Sequence, residues 1–118
     1  MLWTIEFAAG AERDLELLFH YLADSYLNLG SSRAEAADQA LRRVQSIHDT
    51  AERIATEPRR GAAHDDLLPG LRHLALDKAI YWFLIDEAAG RVRVLAIFYG
   101  GQDHQRRMLV RLLSQSVR

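Results

Sequence analysis

Arginine is the residue type in this sequence best placed to do chemistry. Arg72, Arg91 and Arg93 fall in β-rich runs, and Arg106, Arg107 and Arg111 follow in the last apolar-periodic segment. A guanidinium fork matches phosphate and carboxylate geometry and stacks on aromatic rings. With Tyr81, Phe83 and Tyr99 in the same runs, such a set suits RNA or an acidic segment of a partner protein. A solvated charged face is the plainer alternative.

The other chemistry-bearing types offer less. The five histidines are His20, His48, His64, His73 and His104, and none has metal-ligand spacing. His20 and His48 sit beside helical apolar stripes and read as structural. His104 follows Gly100-Gly101-Gln102-Asp103 and could serve acid–base work near a phosphate. The paired glycines lie between a strand and a helix, but the phosphate-loop and dinucleotide fingerprints are both missing. A sharp turn with Asp103 capping the helix explains them. The carboxylates form no spaced pair, no serine sits in a nucleophile elbow, and the absence of Cys excludes disulfides, thiolate metal sites and a cysteine nucleophile. No metal or cofactor is expected.

The elements that must position these groups are legible from periodicity. Trp3, Ile5 and Phe7 share one face of a first strand, and Gly10 is expected to end it before a helix. Leu15, Leu18, Phe19, Leu22 and Tyr26 form the stripe of that helix, with Gly30 as its C-terminal cap. Ser32-Arg33-Ala34-Glu35 is a capping box opening a second helix with a stripe of Ala37, Ala40, Leu41, Val44, Ile47, Ala51 and Ile54. Pro58 ends it. Residues 57–70 read as an irregular connector from which Leu67 and Leu68 dip back to the core. Three β-rich runs then form a meander through the turns Asp77-Lys78 and Glu87-Ala88-Ala89-Gly90. Val92, Val94, Ala96 and Phe98 are expected on its helix-covered face. Arg91, Arg93, Leu95, Ile97 and Tyr99 fall on the other, joined by Arg72, Tyr81 and Phe83.

The predicted fold is therefore α+β in the order β-α-α-β-β-β-α: a helical hairpin on a four-stranded, largely antiparallel sheet, with a C-terminal helix at an edge or over the open face. The 118 residues make one domain, 1–118. Composition is ordinary for a globular protein, with 49% hydrophobic and 26% charged residues. The net charge of −1 hides an asymmetry: residues 1–57 carry five Arg against ten acidic residues, and residues 58–118 carry ten Lys and Arg against six. A near-neutral total argues against direct nucleic-acid binding by the isolated chain. The start Met1-Leu2-Trp3-Thr4 lacks the basic region of a signal peptide, and no stretch could span a bilayer, so the expectation is a cytoplasmic protein.

Taken in order, these pieces resemble the RelE/ParE superfamily of bacterial type II toxins over nearly the whole chain. The resemblance rests on the element order, on Ala11-Glu12-Arg13-Asp14-Leu15 at the start of the first helix, and on Glu57-Pro58-Arg59-Arg60-Gly61. It continues with Pro69-Gly70-Leu71-Arg72-His73-Leu74, the aromatic strand ending Leu84-Ile85-Asp86, and residues 92–100 followed by Gln102-Asp103. RelE-like members cleave messenger RNA on the ribosome with basic and aromatic side chains; several ParE-like members poison DNA gyrase. In both branches an antitoxin neutralises the toxin. Arg72 matches a basic position of the nucleases, but Leu74, Ala79, Gln102 and Met108 stand where the nuclease pattern has basic residues or a tyrosine. Tyr99-Gly100 with Gln102-Asp103 is similar to the His-Gly and Arg-Asp ending of ParE-like chains, with Tyr for His and Gln for Arg. The resemblance thus implies a ParE-like, non-enzymatic toxin with a cognate antitoxin and DNA gyrase as partners. Its target- or antitoxin-binding residues would be Arg72, Tyr81, Arg91, Arg93, Tyr99, Gln102 and Asp103. The alternatives are a ribosome-dependent endoribonuclease using Arg72, Arg93, Tyr99 and His104, and a degenerate toxin that binds only its antitoxin.

Overall fold

A computed structural model describes residues 3–100 and 103–116. The chain runs β1 (Thr4–Phe7), α1 (Ala9–Asn28), α2 (Arg33–Thr50), two 3₁₀ turns (Ala51–Thr56 and Pro58–Arg60), β2 (Ala62–Ala63), β3 (Leu71–Leu76), β4 (Ala79–Asp86), β5 (Arg91–Tyr99) and α3 (His104–Ser116). The sheet order is β1-β5-β4-β3-β2, with β1 parallel to β5 and the other pairs antiparallel. The expected α+β layout is present. The sheet gains a fifth strand because Ala62 and Ala63, inside the expected connector, pair with His73 and Arg72.

Local chemistry sets the helix ends. Ser32 Oγ accepts from the Glu35 amide at 3.1 Å while Glu35 Oε1 accepts from the Ser32 amide at 3.2 Å, so the capping box is complete. At the end of α1 the Gly30 amide bonds the Leu27 carbonyl and the Ser31 amide bonds the Tyr26 carbonyl. This Schellman arrangement places Gly30 at φ +105°, where a side chain would be strained. Gly10 does not end β1; it lies in the first turn of α1. A Cβ there would come within 3.2 Å of the Leu95 carbonyl oxygen, so the glycine lets α1 pass close to β5.

The sheet has two apolar faces. The hairpin of α1 and α2 covers the one holding Tyr81, Phe83, Val92, Val94 and Ile97, with Leu15, Ile47 and Ile54 among the opposing side chains. Trp3, Ile5 and Phe7 pack against the same cluster, as the first strand's alternation predicts. The other face carries Leu71, Ile80, Trp82, Ala96 and Phe98, over which α3 lays Met108 and Leu112. Leu67 and Leu68 fold back onto it as expected.

Strict alternation along β5 fails at one residue. Trp82 pairs with Ala96 but Phe83 pairs with Val94, so Leu95 is an extra residue, a β-bulge. The bulge shifts the phase by one. Val92 and Val94 face the hairpin, whereas Ala96 and Phe98 face α3, and Ile97 and Tyr99 return to the hairpin side. The expected grouping of Val92, Val94, Ala96 and Phe98 on one face is corrected accordingly.

Candidate functional site

Register places the predicted site residues in three separate locations. Arg72 pairs with Phe83 and Leu74 with Tyr81, so all four turn toward the hairpin, away from the Arg91 and Arg93 face. Tyr81 is fully buried and donates its hydroxyl to the Ile47 carbonyl at 2.6 Å. Burial, reinforced by the charge of Asp77, pushes its phenol well above the ordinary value. It anchors α2 to the sheet. Arg72 is tied down by the carbonyls of Gly61 (2.8 Å) and Arg59 (3.0 Å), which fastens the 3₁₀ segment to β3. Arg91 and Arg93 are exposed and both approach Glu6 of β1, at 2.6 and 4.0 Å. Tyr99 and Asp103 line a trough between α1 and α3. Gln102 lies outside the described residues.

That trough has two connected compartments of about 1000 and 600 Å³, which share Tyr99, Gly100, Arg107 and Arg111. Asp14 crosses it. Its carboxylate receives Arg111 bidentately at 2.7 and 2.8 Å and also accepts the Ile97 amide at 2.8 Å. One side chain thereby joins α1, β5 and α3. Arg107 stacks over Phe98, 4.5 Å from the ring centre. Asp103 holds the left-handed conformation, φ +54°, and its carbonyl accepts the Arg107 amide in the first turn of α3.

A second constellation was not assembled by sequence reasoning. His64, His73 and His104 gather on the face that α3 partly covers, around the fully buried Trp82. His64 Nε2 and His73 Nδ1 are 2.6 Å apart, and the His73 and His104 rings meet edge to face at 4.7 Å. The 2.6 Å separation is that of a hydrogen bond between the two rings. Two nitrogens on one tetrahedral zinc would stand about 3.3 Å apart, and among the described residues no group of three such side chains is placed to hold a metal ion. Burial, with the nearby charges of His104 and His64, lowers the His73 pKa from 6.5 to about 4. Burial also lowers that of His104, with His64 adding to the effect. His73 is therefore a neutral ring at pH 7, able to accept or pass on a proton. Trp82 Nε1 and His104 Nδ1 are both enclosed with no protein partner among the described residues.

One signal in the sequence could have found part of this cluster. Counting outward from the two-residue turn Asp77-Lys78 pairs Leu76 with Ala79 and, three steps on, His73 with Trp82. Asp77 adopts φ +56°, the left-handed conformation that a tight hairpin asks of its turn. The remaining two histidines are exposed: His48 stacks on Phe7 at 4.5 Å and His20 meets Phe19 edge-on.

With this geometry established, likeness to known proteins is informative. No family model matches the sequence, and no curated protein matches it. Solved structures do. A chain of the chromosomal ParDE toxin–antitoxin system from P. aeruginosa superposes with a TM-score of 0.59 at 21% identity, covering 83% of this chain and 96% of that one. A chain of the RelBE2 toxin–antitoxin complex from Mycobacterium tuberculosis gives 0.60 at 19% identity, covering 84% and 99%. The chain has the RelE/ParE fold. Within this fold, the histidine cluster and the α1–α3 trough each gather polar groups among the described residues. No helix among the described residues is long and apolar enough to cross a membrane.

Proposed function

We propose that this chain is the toxin of a type II toxin–antitoxin pair. It arrests growth by binding a cellular target, DNA gyrase, and a cognate antitoxin neutralises it in the cytoplasm. The observation that carries the toxin reading is the nearly end-to-end likeness to chains of two toxin–antitoxin systems. Inhibition by binding is favoured over nuclease action of the RelE type by the side chains at the nuclease positions. Leu74 and Ala79 pack toward the hairpin and Met108 is 1% exposed beneath α3. None of them can activate a ribose hydroxyl or stabilise a phosphorane. Arg91, Arg93, Tyr99 and Asp103 remain the exposed or half-exposed members of the proposed binding set; Arg72 and Tyr81 support it from within.

The imidazole cluster favours a second reading, ribosome-dependent RNA cleavage. A neutral His73 hydrogen-bonded to His64 beside a buried tryptophan is suited to acid–base work on a ribose hydroxyl. Two assays separate the readings. The first reading expects purified protein to inhibit supercoiling by gyrase and to leave message intact in a translating extract. Unimpaired supercoiling at high excess, with site-specific cleavage that disappears in His73→Ala, would establish the second instead.

A further inference from the structure

The first turn of α3 closes over the sheet on a seat that leaves two polar atoms unmet. His104, the first residue of the helix, meets the His73 ring edge to face at 4.7 Å and lies 5.5 Å from the Trp82 ring centre. His104 Nδ1 and Trp82 Nε1 are both enclosed there, with no protein partner among the described residues. A buried polar atom without a partner costs free energy that water returns once the seat opens. Farther along, α3 is held differently: Met108 and Leu112 pack on the apolar face, and Arg111 is bound bidentately to Asp14. The helix has one well-satisfied end and one that is not.

Proton uptake makes the same seat worse. A charged imidazole donates from both nitrogens, so a charged His104 would bury an N–H at Nδ1 with nothing to receive it. The charge would also stand at the N-terminus of α3, the positive end of its dipole. His64, just after β2, and His73, on β3, lie 2.6 Å apart beside it. The fixed charges around the rings do not relieve this. Arg107 and Arg111 lie over Phe98 on the same face, 4.5 and 5.3 Å from its ring centre. Arg72 is tied to the carbonyls of Gly61 and Arg59, and Arg106 is exposed. Asp14 is occupied by Arg111, Asp65 accepts the Gly70 amide, and Asp66 and Asp103 are exposed. Among the described residues no carboxylate pairs with His64, His73 or His104. Burial and the neighbouring rings hold His73 at about 4 and His104 below the ordinary histidine value. Those values rise again when the rings separate, so falling pH favours the open arrangement. For His73 alone, recovery from about 4 to 6.5 raises the open-to-closed ratio by up to about thirtyfold between pH 7.5 and pH 5.

We propose that the first turns of α3 form a proton-released latch: protons taken up by the His64, His73 and His104 cluster lift His104 off Trp82 and uncover the sheet face beneath, while Asp14 keeps Arg111 in place. The latch does not depend on the toxin reading. The test is amide hydrogen exchange of the full chain at pH 7.5 and pH 5, each rate compared with that of an unstructured chain at the same pH. Protection at the Met108 amide falls by about tenfold or more between the two. At pH 5 it stands about tenfold or more below that of the α2 amides, as an opening confined to α3 requires. In His104→Phe, which keeps a ring over Trp82 and takes up no proton, the Met108 amide stays protected at both pH values. His104→Gln serves the same purpose should the phenyl ring disturb folding. Quenching of Trp82 by acrylamide, read in a Trp3→Phe chain, rises in parallel by about threefold or more. Equal protection of α2 and α3 at pH 5 would mean that acid opens the whole chain. The same loss at Met108 in His104→Phe and His104→Gln would place the decisive proton outside the cluster. Either result, or a Met108 amide that stays protected in the wild-type chain at pH 5, overturns the latch.

Discussion

His73 loses basicity because its ring is buried against Trp82, with the charges of the adjoining His104 and His64 adding to the effect. Adding a charge there means desolvating it, with the nearby charges of His104 and His64 opposing it further. The consequence for stability has a definite sign. With the folded pKa at about 4, below the ordinary 6.5, the unfolded chain takes up the proton first as pH falls. Stability contributed by neutral His73 is complete above pH 6.5 and is lost as pH falls toward 4. The urea midpoint of the wild-type chain is therefore expected to fall between pH 7 and pH 5, and to fall less in His73→Gln. Parallel declines in the two proteins would show that the cluster does not carry the effect. The cluster was largely illegible in the sequence because 64, 73 and 104 are distant in the chain and meet only through strand register and the seating of α3. Tyr81 shows the converse. Its position in an aromatic run was plain, but which face it served depended on its cross-strand partners, and the hairpin won because it offered the Ile47 carbonyl as an acceptor.

Elements were legible wherever a local chemical reason fixes them. The capping box at Ser32, the Schellman end at Gly30 and the two-residue turn at Asp77 each satisfy backbone groups through neighbours in sequence, so spacing alone reveals them. The bulge at Leu95 gave no such signal, since a leucine reads as apolar on either face and the phase shift shows only against β4. Nor did β2, where two alanines in a polar connector carry no pattern. The contact that holds the elements to one another is also long-range. Asp14 and Arg111 are separated by most of the chain, yet their side chains are only 10% and 26% exposed and hydrogen-bond bidentately. Breaking a buried pair leaves an uncompensated charge, so Asp14→Asn is expected to cost about 2–3 kcal/mol, with Arg111's partial exposure reducing the full penalty. Denaturation measures the loss, and amide exchange in α3 should accelerate ahead of exchange in α2. An unchanged midpoint would mean that α3 is held by Met108 and Leu112 alone.

At the scale of the whole molecule, the charge asymmetry of the sequence maps onto the fold. The acidic half builds β1 and the helical hairpin, and the basic half builds the meander and α3. The basic half supplies the histidine cluster and the arginines of the α1–α3 trough, whose other wall, with Asp14, Leu17 and Tyr21, comes from the acidic half. At 19% and 21% identity the two toxin–antitoxin chains share the fold with TM-scores of 0.60 and 0.59, and Ala79 and Met108 of this chain are buried. Buried where a nuclease would need reactive side chains, these two residues support the proposal of an inhibitor that works by contact. The most direct measurement is growth of a bacterial host after induction of this chain, alone and together with the product of the adjacent reading frame. Arrest with the chain alone and recovery on co-expression is the predicted result; growth at the uninduced rate, with soluble folded chain present in the cells, would contradict it.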